Sequence, residues 1–302
     1  KDFSEFYPMI PYQLDLLQQV FTKIRENSSA GKHFASGERN LLGAVQYAAL
    51  EYAEKDLGIL IPFQTFYGHL DQGLDHSVRA TIIKAQSTPT LQSFDVDVLK
   101  VLYLIRYLKS VPSTVENITT LMLDELDADR LKLTKNITAA LDRLTKEYLV
   151  QRTGLEYLFL TNEEQDINRE INHMDIPTSK MQSYIGEMIY DTVLEMKKYK
   201  YVPFAEKKTV AYDFDCAKWI DESARGNATA EIGIHVVTPY SDDYRTREEL
   251  QQLSSRESRL VIALGDSGTF YDDTMMLLKI NEYLRSQSSK QNSGIKREII
   301  DR

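Results

Sequence analysis

HFASGERNLLGAVQYAAL, residues 33–50, sets the fold class for the first third of this chain. Ser36 is placed as an N-cap, Gly37 relaxes the backbone, and a helix opens on Glu38 and Arg39. Leu41, Leu42, Val45, Ala48 and Ala49 recur at spacings of three and four, which predicts one apolar helix face. An arginine in a first helical turn sits where orphan N–H groups already favour an anion, a sensible place to read a phosphate. Spacing alone favours the plainer reading, in which Arg39 pairs with a surface carboxylate.

Working outward, residues 11–28 read as an amphipathic helix. Pro11 starts it, and Leu14, Leu17, Val20, Phe21 and Ile24 lie on one side. Asn27-Ser28-Ser29-Ala30-Gly31 ends it. The helix opened at 37 runs to about 55 and stops before Gly58. IPFQTFYGHLD (61–71) reads as a short extended piece covering the helices. A further helix spans about Leu74 to Gln86, ahead of Pro89.

Residues 94–165 form a second unit. Asp95 or Asp97 caps a helix carrying Val98, Val101, Leu102, Ile105 and Leu108, and Pro112 breaks it. Ser113 or Thr114 opens a second helix, with Glu116 as a loose capping box. A third helix runs from about Leu133 to Tyr148, with Ile137, Ala140, Leu141 and Leu144 inward. Two strand-like pieces, LVQRTG and LEYLFLT, meet at Thr153-Gly154. Three helices and a hairpin in this order are a winged-helix pattern. In such a unit the third helix often enters a DNA groove, which makes Lys132, Lys135, Asn136, Arg143 and Lys146, with Arg152 on the hairpin, the candidate phosphate contacts. Against this, residues 94–165 hold nine basic and twelve acidic side chains, a net of −3. A phosphate-driven interface usually has the opposite bias. The alternative is a winged helix packed against protein.

Residues 166–202 read as a connecting helix. Met181, Ile185, Met188, Ile189, Val193 and Met196 form a core stripe, and Lys197, Lys198 and Lys200 follow at its C-terminal end. From 203 the pattern changes to α/β. Thr209–Phe214, Ala230–Val237 and Arg259–Leu264 read as strands, alternating with helices near 245–255 and 270–285. The loop Gly265-Asp266-Ser267-Gly268 lacks the glycine spacing of a phosphate cradle. His235 reads as a core or cross-strand histidine.

The whole chain has 302 residues, 42% hydrophobic and 27% charged, as in a globular protein with two or three ordinary cores. A net charge of −9 makes it a poor polyanion binder overall. The single cysteine, Cys216, excludes an internal disulfide and suits a reducing compartment. No apolar run reaches the roughly 20 residues of a membrane span. SSAGKH (28–33) fails as a phosphate-binding loop, because His33 stands where Ser or Thr belongs and Glu26 where the first glycine belongs. LMLDEL (121–126) and VIALGD (261–266) imitate magnesium-holding motifs without their context. No paired carboxylates, Ser-His-Asp set or metal cluster stands out, so no catalytic or metal-binding residue is assigned. With Lys1 in place of an initiator methionine, the chain reads as a piece of a longer protein.

FYPMIPYQLDLLQQVFTKIR (6–25) followed by HFASGERNLLGAVQYAAL resembles the large P-loop, AAA-type ATPase of BREX phage-defence systems. In that family an aromatic-proline-tyrosine-glutamine helix precedes a Gly-Glu-Arg-Ser/Asn helix, just after the nucleotide-binding core. Here the matching residues are Pro11-Tyr12-Gln13 and Gly37-Glu38-Arg39-Asn40. The likeness runs along most of the chain and is weakest in the last third. The patterns above then divide an α+β multidomain chain into a winged helix over 91–165, a connecting helix over 166–202 and a small α/β domain over 203–302, and the resemblance makes the helices over 1–90 an AAA-type lid. It gives Arg39 the role of the nucleotide-reading arginine called sensor 2. It implies ATP and magnesium as cofactors of the full-length protein and none for this fragment alone, which lacks a P-loop and so the means to hydrolyse ATP. The resemblance implies other phage-defence proteins as partners and self-association of the full-length protein; the winged-helix pattern adds double-stranded DNA as a further candidate, and the lack of a long apolar run and the single cysteine add no membrane and a cytoplasmic location. Three functions stay open: a regulatory fragment coupling nucleotide state to partner or DNA binding, a stand-alone DNA-binding regulator, and a pure assembly module. The acidic balance favours the first and third.

Overall fold

The computed structural model describes residues 3–27, 37–71, 74–195, 198–202, 211–230, 232–242, 246–266 and 268–286, with side chains from 41 onward in the segment that begins at 37. The chain divides into two compact units, residues 1–169 and 170–302. It is a mixed α and β structure, as the α+β reading requires. Among the described residues no helix is long and apolar enough to cross a membrane.

The first unit opens with α1 (Pro11–Asn27), where proline occupies the first helical position. Its buried face is Gln13, Leu16, Leu17, Val20, Phe21 and Ile24. Sequence periodicity puts Leu14 on this face, but Gln13 is the more buried of the two. Gln13 accepts from the Ile10 N–H at 2.9 Å and donates to the Ile61 carbonyl at 2.7 Å, which satisfies its amide in the core. Helix α2 (Gly37–Glu51) ends four residues earlier than expected. Its inward side is Leu41, Ala44, Val45 and Ala48, whereas Leu42 is 70% exposed and Ala49 also faces water. The i, i+3, i+4, i+7 set starting at Leu41 excludes both by geometry. Ile59 bridges Glu125 in antiparallel fashion, and the Leu60 N–H donates to the Asp124 carbonyl at 2.7 Å. The expected extended piece stops at Pro62. Phe63–Thr65 is a 3₁₀ turn that runs into the short α3 (Phe66–Leu70).

After α4 (His76–Ser87), helix α5 (Ser93–Ile105) buries Val96, Val98, Leu99, Val101, Leu102, Tyr103, Leu104 and Ile105. A helix whose last five residues are all buried belongs in the middle of a core, and only the Asp97–Lys100 side of α5 reaches water. Its N-cap is Gln92 rather than Asp95 or Asp97. Asp95 sits at the third helical position and receives the Gln92 N–H at 2.9 Å, a capping box. Helix α6 (Val115–Leu121) is capped by Thr114. Helix α7 (Arg130–Lys146) starts three residues before the expected point, because Asp129 caps it by accepting the Lys132 N–H at 3.0 Å. It buries Ile137, Ala140, Leu141 and Leu144. The strands β1 (Val150–Thr153) and β2 (Glu156–Phe159) pair antiparallel across Gly154-Leu155, with Gly154 at φ +59°. Thr114 bridges Glu156, and the Tyr157 N–H donates to the Ser113 carbonyl at 3.0 Å, so the segment ahead of α6 lines the hairpin. One hydrophobic core runs from Leu16 on α1 to Phe159 on β2. Edge-on ring contacts from Tyr67 to Tyr103 (6.1 Å) and from Tyr103 to Phe159 (5.3 Å) tie its halves together. Arg106 donates twice to Glu164 on α8 (Asn162–Asn172), at 2.7 and 2.9 Å, and once to the Phe159 carbonyl.

The stretch expected as one connecting helix, 166–202, is several elements. Beyond α8 come α9 (Thr178–Glu187), a π-helical turn Met188–Val193, and β3 (Lys198–Tyr201). Pro177 separates α8 from α9, since proline has no N–H to give an interior turn. Met181 and Ile185 are buried as expected, but Val193 is 69% exposed, and Met196 and Lys197 lie outside the described residues. Lys198 and Lys200 belong to a strand, not a helix end. Lys-Tyr-Lys-Tyr alternates with period two and lies antiparallel to Tyr-Asp-Phe-Asp at the start of β4 (Tyr212–Ile220), placing Lys198 opposite Asp215 and Lys200 opposite Asp213.

In the second unit the sheet order is β3-β4-β6-β7, with β5 (Ser223–Arg225) pairing onto β4. β6 (Ile232–Val237) is parallel to β4, and β7 (Arg259–Ala263) is parallel to β6, with α10 (Arg247–Glu257) between them. α11 (Phe270–Arg285) follows. The expected strands and helices here are found, with β6 beginning at Ile232 rather than Ala230; Thr209, Val210 and Glu231 are outside the described residues. Met181, Ile185, Ile220, Tyr271 and Leu278 form one apolar cluster; Tyr190, Ile234 and Val236 form another.

Candidate functional site

The face that sequence analysis marks for phosphate contact is the outside of α7 and the hairpin. Burial of Ile137, Ala140, Leu141 and Leu144 turns the opposite side of the helix outward. Lys132, Lys135, Asn136 and Lys146 are all exposed there, together with Leu131 and Asp142. Arg143 is not part of this set. Its guanidinium donates to both oxygens of Asp95, Nε at 2.8 Å and Nη2 at 2.7 Å, and Asp95 is fully buried. A fork-on-fork pair of this kind uses the donors that a phosphate would need. Hydrogen bonding to Asp95 raises the Arg143 pKa above its ordinary value, against a smaller effect of burial. Arg152 is exposed on β1 but folds back on its own hairpin. Its Nε donates to the Gly154 carbonyl at 3.1 Å, and its guanidinium lies 5.8 Å from the centre of the Tyr157 ring. The face therefore presents three lysines, Asn136 and Arg152, flanked by Asp129 and Asp142, with Leu131 77% exposed on α7 and Leu155 76% exposed at the hairpin tip.

Arg39 falls in the first turn of α2, and its side chain lies outside the described residues, as do Ser36 and the Gly31-Lys32 pair. Clefts of about 620 and 400 Å³ are among those that border α1 in the described residues. Gln19 and Ser110 line both, and no α7 residue lines either.

The second unit has a buried polar centre just past the carboxyl ends of its parallel strands, where ligands of open α/β sheets usually sit. Asp221, directly after β4, takes a left-handed φ of +46° and has no exposed surface. Its carboxylate accepts from the Thr238 N–H (2.6 Å), the Thr238 hydroxyl (2.8 Å) and the Gln182 amide (2.7 Å). Its carbonyl accepts from His235 Nε2 at 2.6 Å. Burial pushes the Asp221 carboxyl up from its ordinary value, and the Thr238 and Gln182 hydrogen bonds partly oppose that. Burial also lowers the His235 pKa. Three donors engage the carboxylate, so this centre fastens β4, α9 and the residue that follows β6. His235 is buried, as expected of a core histidine. The Gly265–Gly268 loop is described except for Ser267, and Gly265 offers its carbonyl to the Tyr271 hydroxyl at 3.4 Å. Among the described residues no group of His, Cys, Asp and Glu could hold a metal ion.

Sequence reasoning missed Asp95 as the partner of Arg143, 48 residues away, and missed Asp221 altogether. No local pattern marks either.

Residues 174–302 match the family model of the fourth domain of the BREX ATP-binding protein BrxC, described as having a six-stranded β-sheet. Five strands are formed by the described residues of this region. The match bears out the resemblance to the BREX ATPase and does so in the part of the chain where the sequence likeness is weakest. No solved structure matches the chain.

Proposed function

We propose, from the match of residues 174–302 to the fourth domain of a BREX ATP-binding protein, that the chain is a regulatory and docking portion of a BREX-type antiphage ATPase. It couples the nucleotide state of a P-loop core elsewhere in the full-length protein to the binding of another defence protein. ATP and magnesium belong to that core, and the fragment alone hydrolyses nothing.

Residues 1–90 are read as the helical lid, with Arg39 as its sensor-2-like residue. Residues 91–165 are read as a winged helix, with α5, α6 and α7 as its three helices and β1–β2 as its wing. The pairing of Ser113 and Thr114 with β2 supports that reading, since it adds the short third strand a wing requires.

The observation that carries docking to protein over docking to DNA is the Arg143–Asp95 pair. It removes Arg143 from the phosphate-reading set and leaves lysines interspersed with aspartates and exposed leucines. Such a mixed surface resembles a protein-docking rim more than a polyanion track. The test is a pair of titrations of the purified chain. One adds duplex DNA at about 50 and 200 mM salt, the range over which a face making 6–10 phosphate contacts loses about 10³–10⁵ in affinity. The other adds each remaining protein of the same BREX system. A stable complex with one of them, broken by Leu131→Glu with Lys135→Glu, is expected. Tight DNA binding that falls steeply with salt and with Lys135→Ala would favour the DNA-binding alternative instead.

A further inference from the structure

Lys218 on β4 and Arg225 on β5 are register partners across an antiparallel ladder. Like charges placed directly opposite repel each other. Both are largely withdrawn from water, with side chains 21% and 26% exposed. They share one carboxylate, Asp191 on the π-helical turn, and both contacts are long: 3.8 Å to Lys218 Nζ and 3.5 Å to Arg225 Nη2. Two other guanidiniums are paired far more closely. Arg106 and Arg143 each grip a carboxylate at two points between 2.7 and 2.9 Å.

Neither cation depends on Asp191 for its position. Arg225 Nη1 donates to the Ser183 carbonyl, and the side chain passes over Gly186, where a Cβ would meet Arg225 Cδ and Nη1 at 3.0 Å. The Lys218 ammonium lies 5.5 Å from the centre of the Tyr190 ring, and Tyr190 is itself fixed by its hydroxyl to the Trp219 and Ile234 carbonyls at 2.6 and 2.9 Å. Two preorganised positive charges thus face one negative charge, and that carboxylate is 54% exposed on a turn type that recurs at functional sites.

We propose that Lys218 and Arg225 bind a phosphoryl dianion, with Asp191 as an internal competitor for the same two cations. A guanidinium fork beside an ammonium suits tetrahedral oxygens, and a dianion that displaces the half-exposed Asp191 carboxylate balances both cations. Free phosphate and the terminal phosphate of a nucleotide share this chemistry.

The test is calorimetric titration of the full chain with inorganic phosphate, and separately with AMP, at constant ionic strength set with chloride. Weak saturable binding is expected in the natural chain. Asp191→Asn, which removes the competitor's charge and keeps its shape, is expected to tighten binding about tenfold, and Lys218→Gln to abolish it in both backgrounds. Equal affinity for the two probes identifies the phosphoryl group as the whole ligand, whereas tighter AMP binding extends the site to a nucleotide. Loss of Lys218 also relieves the cross-strand repulsion, so the unfolding midpoint followed by Trp219 fluorescence holds steady or rises, which separates lost binding from lost folding. No saturable phosphate binding in a folded Asp191→Asn chain, or binding that survives Lys218→Gln, overturns the proposal. Neither result bears on the docking role of α7.

Discussion

Replacing Arg143 with methionine tests whether this residue is a structural pin rather than a ligand-reading one. The substitution keeps the stem that packs along α7 and removes the guanidinium. Asp95 then remains fully buried with the Gln92 N–H as a donor but without its two charged hydrogen bonds. Breaking a wholly buried ion pair from one side costs about 3–5 kcal/mol. Arg143 is 31% exposed, so water screens part of the interaction, and about 2–3 kcal/mol is the better expectation. For a unit of this size that corresponds to a fall in Tm of roughly 4–12 °C. Urea unfolding followed by far-UV circular dichroism reads this loss in the helix-rich first unit, while Trp219, the sole tryptophan, reports separately on the second. The companion Asp95→Leu, combined with Arg143→Met, should recover part of the cost, because it leaves no buried charge behind but takes the acceptor from the Gln92 N–H. A double-mutant cycle then gives a coupling of about 2 kcal/mol. A single-mutant cost below about 0.5 kcal/mol, typical of an exposed pair, would refute the reasoning and return Arg143 to the set of available surface cations.

Asp221 makes the second unit sensitive to pH. Its carboxyl is raised above the ordinary 3.8, so its contribution to stability is fully present below that value and is lost as pH rises through the folded-state value. The urea midpoint read by Trp219 fluorescence should decline upward from about pH 4, and Asp221→Asn should flatten that decline. In α2, Gly43→Ala brings a Cβ within 2.6 Å of His69 Cε1. A net loss of about 1 kcal/mol is expected, changing to a gain of about 0.5–1 kcal/mol in a His69→Ala background, where helix propensity alone decides; equal effects in both backgrounds would contradict the clash. Removing the α7 cap with Asp129→Ala should cost about 1 kcal/mol in the same urea assay, and Asp129→Ser much less.

Several elements are readable directly from local pattern. Helix α1 follows from Pro11 and the spacing of Leu17, Val20, Phe21 and Ile24. α7 follows from Ile137, Ala140, Leu141 and Leu144, and the hairpin from Thr153-Gly154 between two strand-like runs. These signals survive because helix and strand periods act within one or two turns of chain. Reading residues 166–202 as a single helix failed for the same reason in reverse. The methionine stripe is helical over α9, but the Lys-Tyr-Lys-Tyr alternation gains its meaning only when Asp213 and Asp215 lie alongside it.

The sequence by itself determined the strongly periodic helices such as α1 and α7 and the β1–β2 hairpin, that no internal disulfide staples the chain, and that net charge disfavours a polyanion partner. Only the tertiary structure decided the fate of individual polar side chains. Gln13 is buried because Ile61 supplies its acceptor, Arg143 is spent because Asp95 lies beneath it, and Lys218 and Arg225 face each other because β5 folds back on β4. The periodicity that places a residue inward or outward is a property of neighbours in sequence. The partner that makes a buried charge tolerable comes from 34 to 48 residues away in cases such as Arg225 with Asp191 and Arg143 with Asp95, and short-range spacing carries no trace of it.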